Sequence, residues 1–247
     1  MKLAKHPTKK IVVFEEEDHI YYVQNEKNRI FTSGTQFLHK FAEPFDREGI
    51  SKRYAEKHNL DQQEVLKSWE EKGRISRENG TKVHDFMEQL FYKNPIEFDE
   101  QNEEVYQKQM VGRALWLELL DKYQPIEAEK VVAHLDAGIA GMVDLIAKDR
   151  YEDVIWILDY KTNKKIDYEN PFQIFKKPIH HLQKCSFNEY TLQMNLYRWI
   201  MEQEGYFPKD TKFKQAIIHI RADGYEMIEC PDRQKEIELM VKNFRVE

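Results

Sequence analysis

Two aspartates and one lysine within residues 141–165 have the types and spacing that a bound cation requires. If the two apolar runs on either side of residues 148–153 form a symmetric hairpin, Asp144 and Asp159 lie directly opposite each other. Opposed residues of an antiparallel pair are about 4.5–5.5 Å apart at Cα, and Lys161 shares the face of Asp159 because side chains alternate. Two carboxylates at this distance repel each other and are costly to bury. The pattern therefore favours a divalent cation between them, with the lysine beside it.

The alternative is a solvated surface pair, because Asp-x-Lys at the end of a strand is common by chance. Two observations favour a buried centre instead. Five apolar residues, Val154 to Leu158, precede Asp159, and such a run is typical of a strand that is covered on both faces. The second aspartate, Asp144, falls at the mirrored position of the hairpin, which a chance surface pair does not require.

Further polar residues form short motifs on both sides of the hairpin. In chain order they are Gly-Thr-x-x-His over residues 80–84, Glu129, Gly-x-x-Asp over 141–144, Asp-x-Lys over 159–161 and Gln-x-x-x-Tyr over 193–197. With this ordered set the chain resembles the RecB-like branch of the PD-(D/E)XK nuclease superfamily, over roughly residues 80–197. Each motif is weak alone, whereas the set in this order is specific. One departure is Val143, where this branch often has proline.

The resemblance implies a mixed α/β fold with a restriction-endonuclease-like αβββαβ core and an N-terminal helical extension. We expect one nuclease domain over residues 1–247, with a β-hairpin and helical platform over residues 1–78 and the nuclease core over residues 79–247. The resemblance also implies that DNA is the substrate. It indicates an exonuclease that acts in DNA recombination, repair or phage DNA processing.

The resemblance assigns roles to the motif residues. The expected catalytic residues are Asp144, Asp159, Lys161 and Glu129. The expected metal ligands are His84, Asp144, Asp159 and the carbonyl of Tyr160. The expected nucleic-acid contacts are Gln193 and Tyr197, one helical turn apart, together with Thr162, Lys164 and Lys165. Glu127 points the same way along its strand as Glu129, so the residues alone leave the choice between these two glutamates open.

Hard divalent cations prefer oxygen ligands, so a site of carboxylates and one imidazole fits Mg²⁺ or Mn²⁺. The expected reaction is phosphodiester hydrolysis with one or two bound ions, and Glu129 is the best extra ligand for a second ion. Lys161 would orient or help deprotonate the attacking water and offset charge on the phosphate. Two alternatives stay open: a nucleic-acid binding protein that keeps the fold but does not cut, and an unrelated hydrolase with another substrate.

Composition restricts the compartment and the cofactors. The chain has 247 residues, a net charge of −6, two cysteines and a mean hydropathy of −0.77. It has no apolar run near the roughly eighteen residues of a membrane span and no signal-peptide stretch at its start, so we expect a cytoplasmic protein. Two cysteines cannot supply the four thiolates of an iron–sulfur cluster, so no cluster is expected. The sequence lacks a P-loop motif, so we expect exposed DNA ends or a recombination or helicase partner to supply the substrate.

The charge reverses locally after the predicted catalytic strand. Between Lys161 and Lys184 there are six lysines and two histidines, against only Asp167 and Glu169. Such a basic segment favours phosphate binding. The alternative is a charged surface loop without a ligand.

The apolar patterns predict the strands that position these residues. Strands are expected over residues 11–14, 19–23, 126–134, 139–147, 154–161, 213–220 and 225–229. The strand over residues 213–220 follows a helix that carries Gln193 and Tyr197, so it should lie parallel to the strand before that helix.

Helix starts are predicted from capping residues and from glycine. A helix capped by Asp61 is expected to end before a second helix, which begins at Gly80 and carries His84. Thr35 is expected to cap the first helix of the chain. A capping box over Ser186–Glu189 is expected to begin the helix that carries the glutamine and tyrosine.

Overall fold

A computed structural model describes residues 1–244 of the chain. Its N-terminal elements are β1 (Lys2–Lys5), β2 (Ile11–Glu15), β3 (Ile20–Val23), β4 (Ile30–Ser33), α1 (Gly34–Lys40), α2 (Arg47–His58) and α3 (Gln62–Tyr92). The elements that follow are α4 (Glu103–Lys122), β5 (Tyr123–His134), β6 (Ile139–Asp149), β7 (Ile155–Lys161), α5 (Ser186–Glu204), β8 (Phe213–Arg221), β9 (Gly224–Glu229) and α6 (Gln234–Asn243).

The nine strands within residues 1–244 belong to one mixed sheet, in which β6 has three neighbours. β5 pairs antiparallel along β6, while β4 runs parallel to the first residues of β6 and β7 runs antiparallel to its last residues. β8 lies parallel to β7, as a crossover through α5 requires. The order α4–β5–β6–β7–α5–β8 is the predicted αβββαβ core, so the predicted fold class is confirmed.

Helices cover both faces of the sheet because β6 and β7 bury apolar side chains on both sides. Ile146 and Ile157 pack with α1, α5 and α6, whereas Leu145 and Leu158 pack with α3 and α4. A third core forms where β2, β3 and β4 pack against β5 and β6. None of the helices within residues 1–244 has the length and apolar character that crossing a membrane requires.

The β6–β7 hairpin has the register that its symmetry predicts. Leu145 pairs with Leu158, and the pairing continues toward the turn without a shift. This register aligns Asp144 with Asp159 one residue beyond the last ladder pair. The two aspartates therefore lie where the strands separate, at the open end of the hairpin.

α3 is one continuous helix, although two helices separated before Gly80 are predicted. Asp61 caps it as expected, because its side chain accepts two amide hydrogen bonds from the first turn. Gly80 does not break the helix, since one glycine costs only about 1 kcal/mol in a helix interior. A Cβ at this position would lie 3.2 Å from the Thr162 hydroxyl, so glycine allows close packing against the chain after β7. The expected boundary between residues 78 and 79 falls inside this helix.

Two predicted helix caps are wrong. Ser33, not Thr35, caps α1, because its side chain exchanges hydrogen bonds with the third residue of the helix. Cys185 occupies the cap position of α5, and within residues 1–244 no side chain caps that end. The Ser186 hydroxyl instead bonds the backbone of Asp167 in the preceding loop, so a tertiary contact replaces the predicted capping box. β1 is a further strand that the apolar pattern does not predict.

Asp149 fixes the turn that sets the β6–β7 register. Its carboxylate accepts hydrogen bonds from the amides of Tyr151 and Glu152 and from the indole of Trp156. Asp149→Ala removes all three bonds, so we expect the free energy of unfolding in urea to fall by about 2–4 kcal/mol. Asp153→Ala is the matched control in the same turn, where the side chain is 97% exposed and a change below about 0.5 kcal/mol is expected. Equal effects of the two substitutions would contradict the role of Asp149.

Candidate active site

The partner strand of β6 changes from β4 to β7 near Asp144, and this point is the split of the sheet. β4 pairs with β6 at Ile139 and Ala140, whereas β7 pairs with it only from Leu145 onward. The Asp144 carboxylate bridges the break, since its Oδ2 atom accepts a hydrogen bond of 2.7 Å from the Tyr160 amide of β7. A side chain thus satisfies a backbone donor that the ladder leaves free, and this bond fixes both the aspartate and the end of β7.

Glu129 of β5 lies opposite Asp144 in a strained backbone conformation. Its φ angle is 50°, in the left-handed region that residues with a side chain rarely adopt. The ladder pairs on either side place it opposite Asp144, and the pair itself is missing from the ladder. Strain of this kind costs on the order of 1–3 kcal/mol and concentrates at functional sites.

His84, Glu129 and Asp144 form a group that fits a metal ion. One ligand atom from each lies within 4.8 Å of the others. His84 comes from α3, and its Nδ1 atom lies 3.4 Å from Oδ2 of Asp144. Glu127, the alternative to Glu129, contacts Lys130 instead and is not part of the group.

Burial and mutual charge perturb the pKa values of these three residues. Burial raises the pKa of Glu129 to about 7, and the charge of Asp144 adds to this effect. Burial would lower the pKa of His84, but the carboxylates of Asp144 and Asp159 outweigh it and raise that pKa to about 9. Burial would raise the pKa of Asp144, but the charge of His84 outweighs it and lowers that pKa. In the absence of a metal, bound protons and basic side chains therefore offset the negative charge of the carboxylates.

Asp159 is buried beside Lys161 and lies outside the three-residue group. Its Oδ2 atom is 2.5 Å from Nζ of Lys161. No hydrogen bond of good geometry reaches that oxygen from the described part of the chain. Burial raises the pKa of Asp159 to about 6, although the charge of Lys161 opposes this. Because ligand atoms of His84, Glu129 and Asp144 lie within 4.8 Å of one another beside this ion pair, the residues present fit a divalent metal.

Lys161 is held by a short chain of side chains from α5. Its Nζ atom donates to Oε1 of Gln193 at 3.3 Å, and Nε2 of Gln193 donates to the Tyr197 hydroxyl at 2.9 Å. The ring centroid of Tyr190 lies 4.7 Å from the same Nζ atom. Burial would lower the pKa of Lys161, but the nearby aspartates outweigh it and raise that pKa. The lysine is therefore a cation.

The Tyr197 ring lies beneath the sheet split and not in the open cleft. It is only 3% exposed and packs between Gly34 and Gly141. A Cβ on Gly141 would overlap the ring, so the glycine of the Gly-x-x-Asp motif leaves room for the tyrosine. Contact of Tyr197 with nucleic acid, the predicted role, does not fit this buried position. In this structure the tyrosine positions Gln193.

The segment that follows β7 is fixed by side chains of α4 and β8. Buried Lys108 of α4 donates from Nζ to the Thr162 carbonyl at 2.8 Å. Nε2 of His219, on β8, lies 2.6 Å from the Asn163 carbonyl. Thr162 and Asn163 are thereby held as part of the wall beside the carboxylates.

A cleft of about 750 Å³ opens over this centre. Its walls come from β1, β2, α3, β5, β6, the end of β7 and α5, and they include Lys2, Arg77, Gly80, His84, Glu129, Lys161 and Thr162. Of the predicted nucleic-acid contacts, only Thr162 lines the cleft, while Gln193 lies behind Lys161. Lys164 and Lys165 are exposed on the segment that leaves the cleft. Lys165 forms an ion pair of 2.7 Å with Asp167.

Sequence reasoning overlooked three residues near the centre: Lys2, Lys108 and Tyr190. Tyr190 precedes Gln193 by three residues on α5, so helical spacing could have identified it. Lys108 lies one turn after Glu104 within a mostly apolar helix, which is a weaker signal. Lys2 has no local signal, because it reaches Glu129 only through the pairing of a four-residue strand.

The structure is that of an α/β protein whose carboxylate–histidine centre fits a divalent metal beside a lysine. A family model described as the PD-(D/E)XK nuclease superfamily matches residues 32–244, and the chain belongs to that superfamily. Nucleases of this superfamily use divalent metals. No curated protein matches the chain. A solved structure titled "Crystal structure of SSO0001" is 14% identical, with a TM-score of 0.34, over 86% of this chain and 72% of that chain.

Binding of a cation to these ligands requires both Glu129 and His84 to lose a proton. Their folded-state pKa values, about 7 and about 9, are both raised, so each group stabilises the metal-free protein at low pH and this contribution is lost as pH rises through those values. We expect the melting temperature without metal to fall between about pH 5 and pH 9. Mn²⁺ affinity should rise over the upper part of this range, with protons released. Calorimetric titration in two buffers of different ionisation enthalpy measures the release, and an affinity independent of pH would contradict these ligands.

Gly141→Ala forces a methyl group against the Tyr197 ring. Overpacking of a close-packed site costs about 1–3 kcal/mol, so we expect this loss in urea unfolding. Gly73→Ala on α3 is the matched control, since its Cβ would meet only the end of the Arg77 side chain at 3.3 Å and alanine favours the helix. Gly141→Ala combined with Tyr197→Leu should lose less stability than the sum of the single variants. Purely additive losses of stability would mean that Gly141 is not required for the packing of the Tyr197 ring.

Proposed function

We propose that the protein is a divalent-metal-dependent DNA nuclease of the RecB-like type that acts as an exonuclease. The observation that carries this proposal is the convergence of His84, Glu129 and Asp144 within 4.8 Å, next to the ion pair of Asp159 and Lys161. Four of the five ordered motifs that resemble the RecB-like branch supply these five residues, which supports the assignment to that branch.

The residues that would hold the metal are His84, Glu129 and Asp144, with Asp159 and the Tyr160 carbonyl as further ligands. Carboxylate oxygens and one imidazole suit Mg²⁺ and Mn²⁺. Such an ion, when bound, lowers the pKa of a coordinated water and polarises a phosphoryl oxygen. The strained backbone of Glu129 supports this role, since strain is retained where the surrounding structure needs the side chain in one position.

Lys161 supplies the positive charge that the chain itself brings to the reaction. A raised pKa keeps its ammonium protonated at neutral pH, which favours orientation of the water and stabilisation of the phosphate over a role as general base. Asp159 and Gln193 hold the ammonium from two directions, and the Tyr190 ring covers a third. The lysine is thus positioned before substrate arrives, so little free energy is needed to order it.

The size of the cleft supports cleavage near the end of a strand. A volume of about 750 Å³ is that of a small-molecule pocket, which suits a short piece of one strand better than a continuous duplex. Thr162 lies in its wall, and Lys164 and Lys165 follow on the exposed segment. We propose that these three residues contact the phosphates of the neighbouring nucleotides, with Gln193 acting through Lys161.

We further propose that this activity serves DNA recombination, repair or phage DNA processing in the cytoplasm. The sequence has no P-loop motif, which favours a recombination or helicase partner that supplies strand ends. Cys185 and Cys230 are free thiols, which suits a reducing compartment.

Digestion of labelled linear and covalently closed circular DNA tests the proposal. We expect turnover only with Mg²⁺ or Mn²⁺, loss in chelator, and resistance of the closed circles. Asp159→Asn and Lys161→Met should each lower the rate by at least about 10²-fold, while the fold and DNA binding persist. Lys148→Met is the matched control, because this lysine lies at the other end of the hairpin and its only ion pair within residues 1–244 is with exposed Asp153.

The same assay separates the alternatives. Cleavage of closed circles would show an endonuclease instead of an exonuclease. Retention of DNA without products, whether or not metal is present, would support a binding protein that does not cut. Lack of both DNA affinity and cleavage would support an unrelated hydrolase, and a wild-type rate for Lys161→Met would remove the lysine from the mechanism.

A further inference from the structure

β1, β2 and β3 lie before residue 32, where the match to the family model begins, yet they supply part of the active-site cleft. Lys2, Phe14, Glu16 and His19 line the cleft from this side. The pairing of β1 with β2 fixes the first of these, because Lys2 pairs with Phe14. The N-terminal strands therefore add side chains to a site whose other residues come from the matched domain.

Lys2 places an ammonium group between two carboxylates of the cleft. Its Nζ atom lies 3.0 Å from Oε1 of Glu88 and 3.3 Å from Oε2 of Glu129. Glu88 follows His84 by one turn on α3, so the helix that carries the histidine also carries this carboxylate. Within residues 1–244 no other ion pair involves Glu88 or Glu129. One ammonium therefore serves both carboxylates, and one of them belongs to the metal-binding group.

This geometry resembles that of a cation bridged by two carboxylates. In two-metal nuclease sites a second divalent ion lies about 3.5–4 Å from the first and shares a carboxylate with it. Glu129 is the shared carboxylate here, with the His84 group on one side and Lys2 on the other. A second ion at this position would have to displace a partly buried ammonium and would repel it if both remained.

We propose that Lys2 takes the place of a second metal ion, so that the centre binds a single divalent cation. The inference rests on the proposed metal-dependent function, since it concerns how many ions the same site accepts. Lys2 acts here as a positioning residue: it keeps Glu129 directed toward the ligand group and offsets the charge of Glu88. A permanent ammonium cannot activate water as a metal does, so its contribution is to charge balance and geometry.

Calorimetric titration of the full chain with Mn²⁺ in the absence of DNA tests this. Wild type should bind one ion, and Lys2→Met should bind two, because Glu88 and Glu129 are then free to hold a second. Lys2→Arg should restore a single ion, since it keeps the charge. Lys5→Met is the matched control, an exposed lysine on the same strand that should leave the stoichiometry unchanged.

Two further measurements keep the test decisive. Adding Glu88→Gln to Lys2→Met should abolish the second ion, and Lys2→Gln replaces Lys2→Met if circular dichroism shows that the methionine variant is unfolded. Two ions in wild type, or a single ion in the folded neutral variant of Lys2, would overturn the role of Lys2 while leaving the nuclease proposal intact. Absence of any Mn²⁺ binding in wild type would instead overturn the proposed metal-dependent function.

Discussion

Negative charge buried at the split of the sheet is the constraint that shapes this site. Two like charges about 4 Å apart repel by about 4 kcal/mol at an effective dielectric constant near 20. The three carboxylates concerned are Glu129, Asp144 and Asp159. The chain compensates them with basic side chains from three separate elements, which are Lys2 of β1, His84 of α3 and Lys161 of β7. Burial is the main cause of the raised pKa values of Glu129 and Asp159, and the charge of Asp144 adds to it, so the basic side chains do not offset the whole cost of burying these carboxylates.

Regular strand pairing is interrupted at the carboxylate–histidine centre. In an unbroken ladder the Tyr160 amide would bond a backbone carbonyl, whereas here it bonds the Asp144 carboxylate, and Glu129 adopts a left-handed conformation opposite. The space that opens where the strands part is filled by the Tyr197 ring, which packs against Gly34 and Gly141. The proposed metal ligands and the residues that support them therefore depend on the same departure from regular structure.

Features set by local physics could be predicted from the sequence, and those set by distant packing could not. The symmetric apolar runs around a polar turn determine the hairpin register, and the crossover connection through α5 predicts that β8 is parallel to β7. The burial of Tyr197 depends on two glycines more than fifty residues away. The position of Lys2 depends on a four-residue strand whose pairing is stabilised only by the rest of the sheet. Local propensity also predicted a helix start at Gly80, whereas this glycine lies inside a continuous helix and allows close packing against Thr162.

The contacts of Lys161 explain how one side chain can hold Asp159 and also bind a further ligand. An ammonium has three N–H donors. One donates to Gln193 and another faces Asp159, while the side chain remains 18% exposed and lines the cleft. A third donor is thus available for a water or a phosphate oxygen without loss of the ion pair. In the proposed function, substrate would add a charge-assisted hydrogen bond to a lysine that Asp159 and Gln193 already hold. The side-chain entropy of Lys161 would then be lost on folding and not on binding.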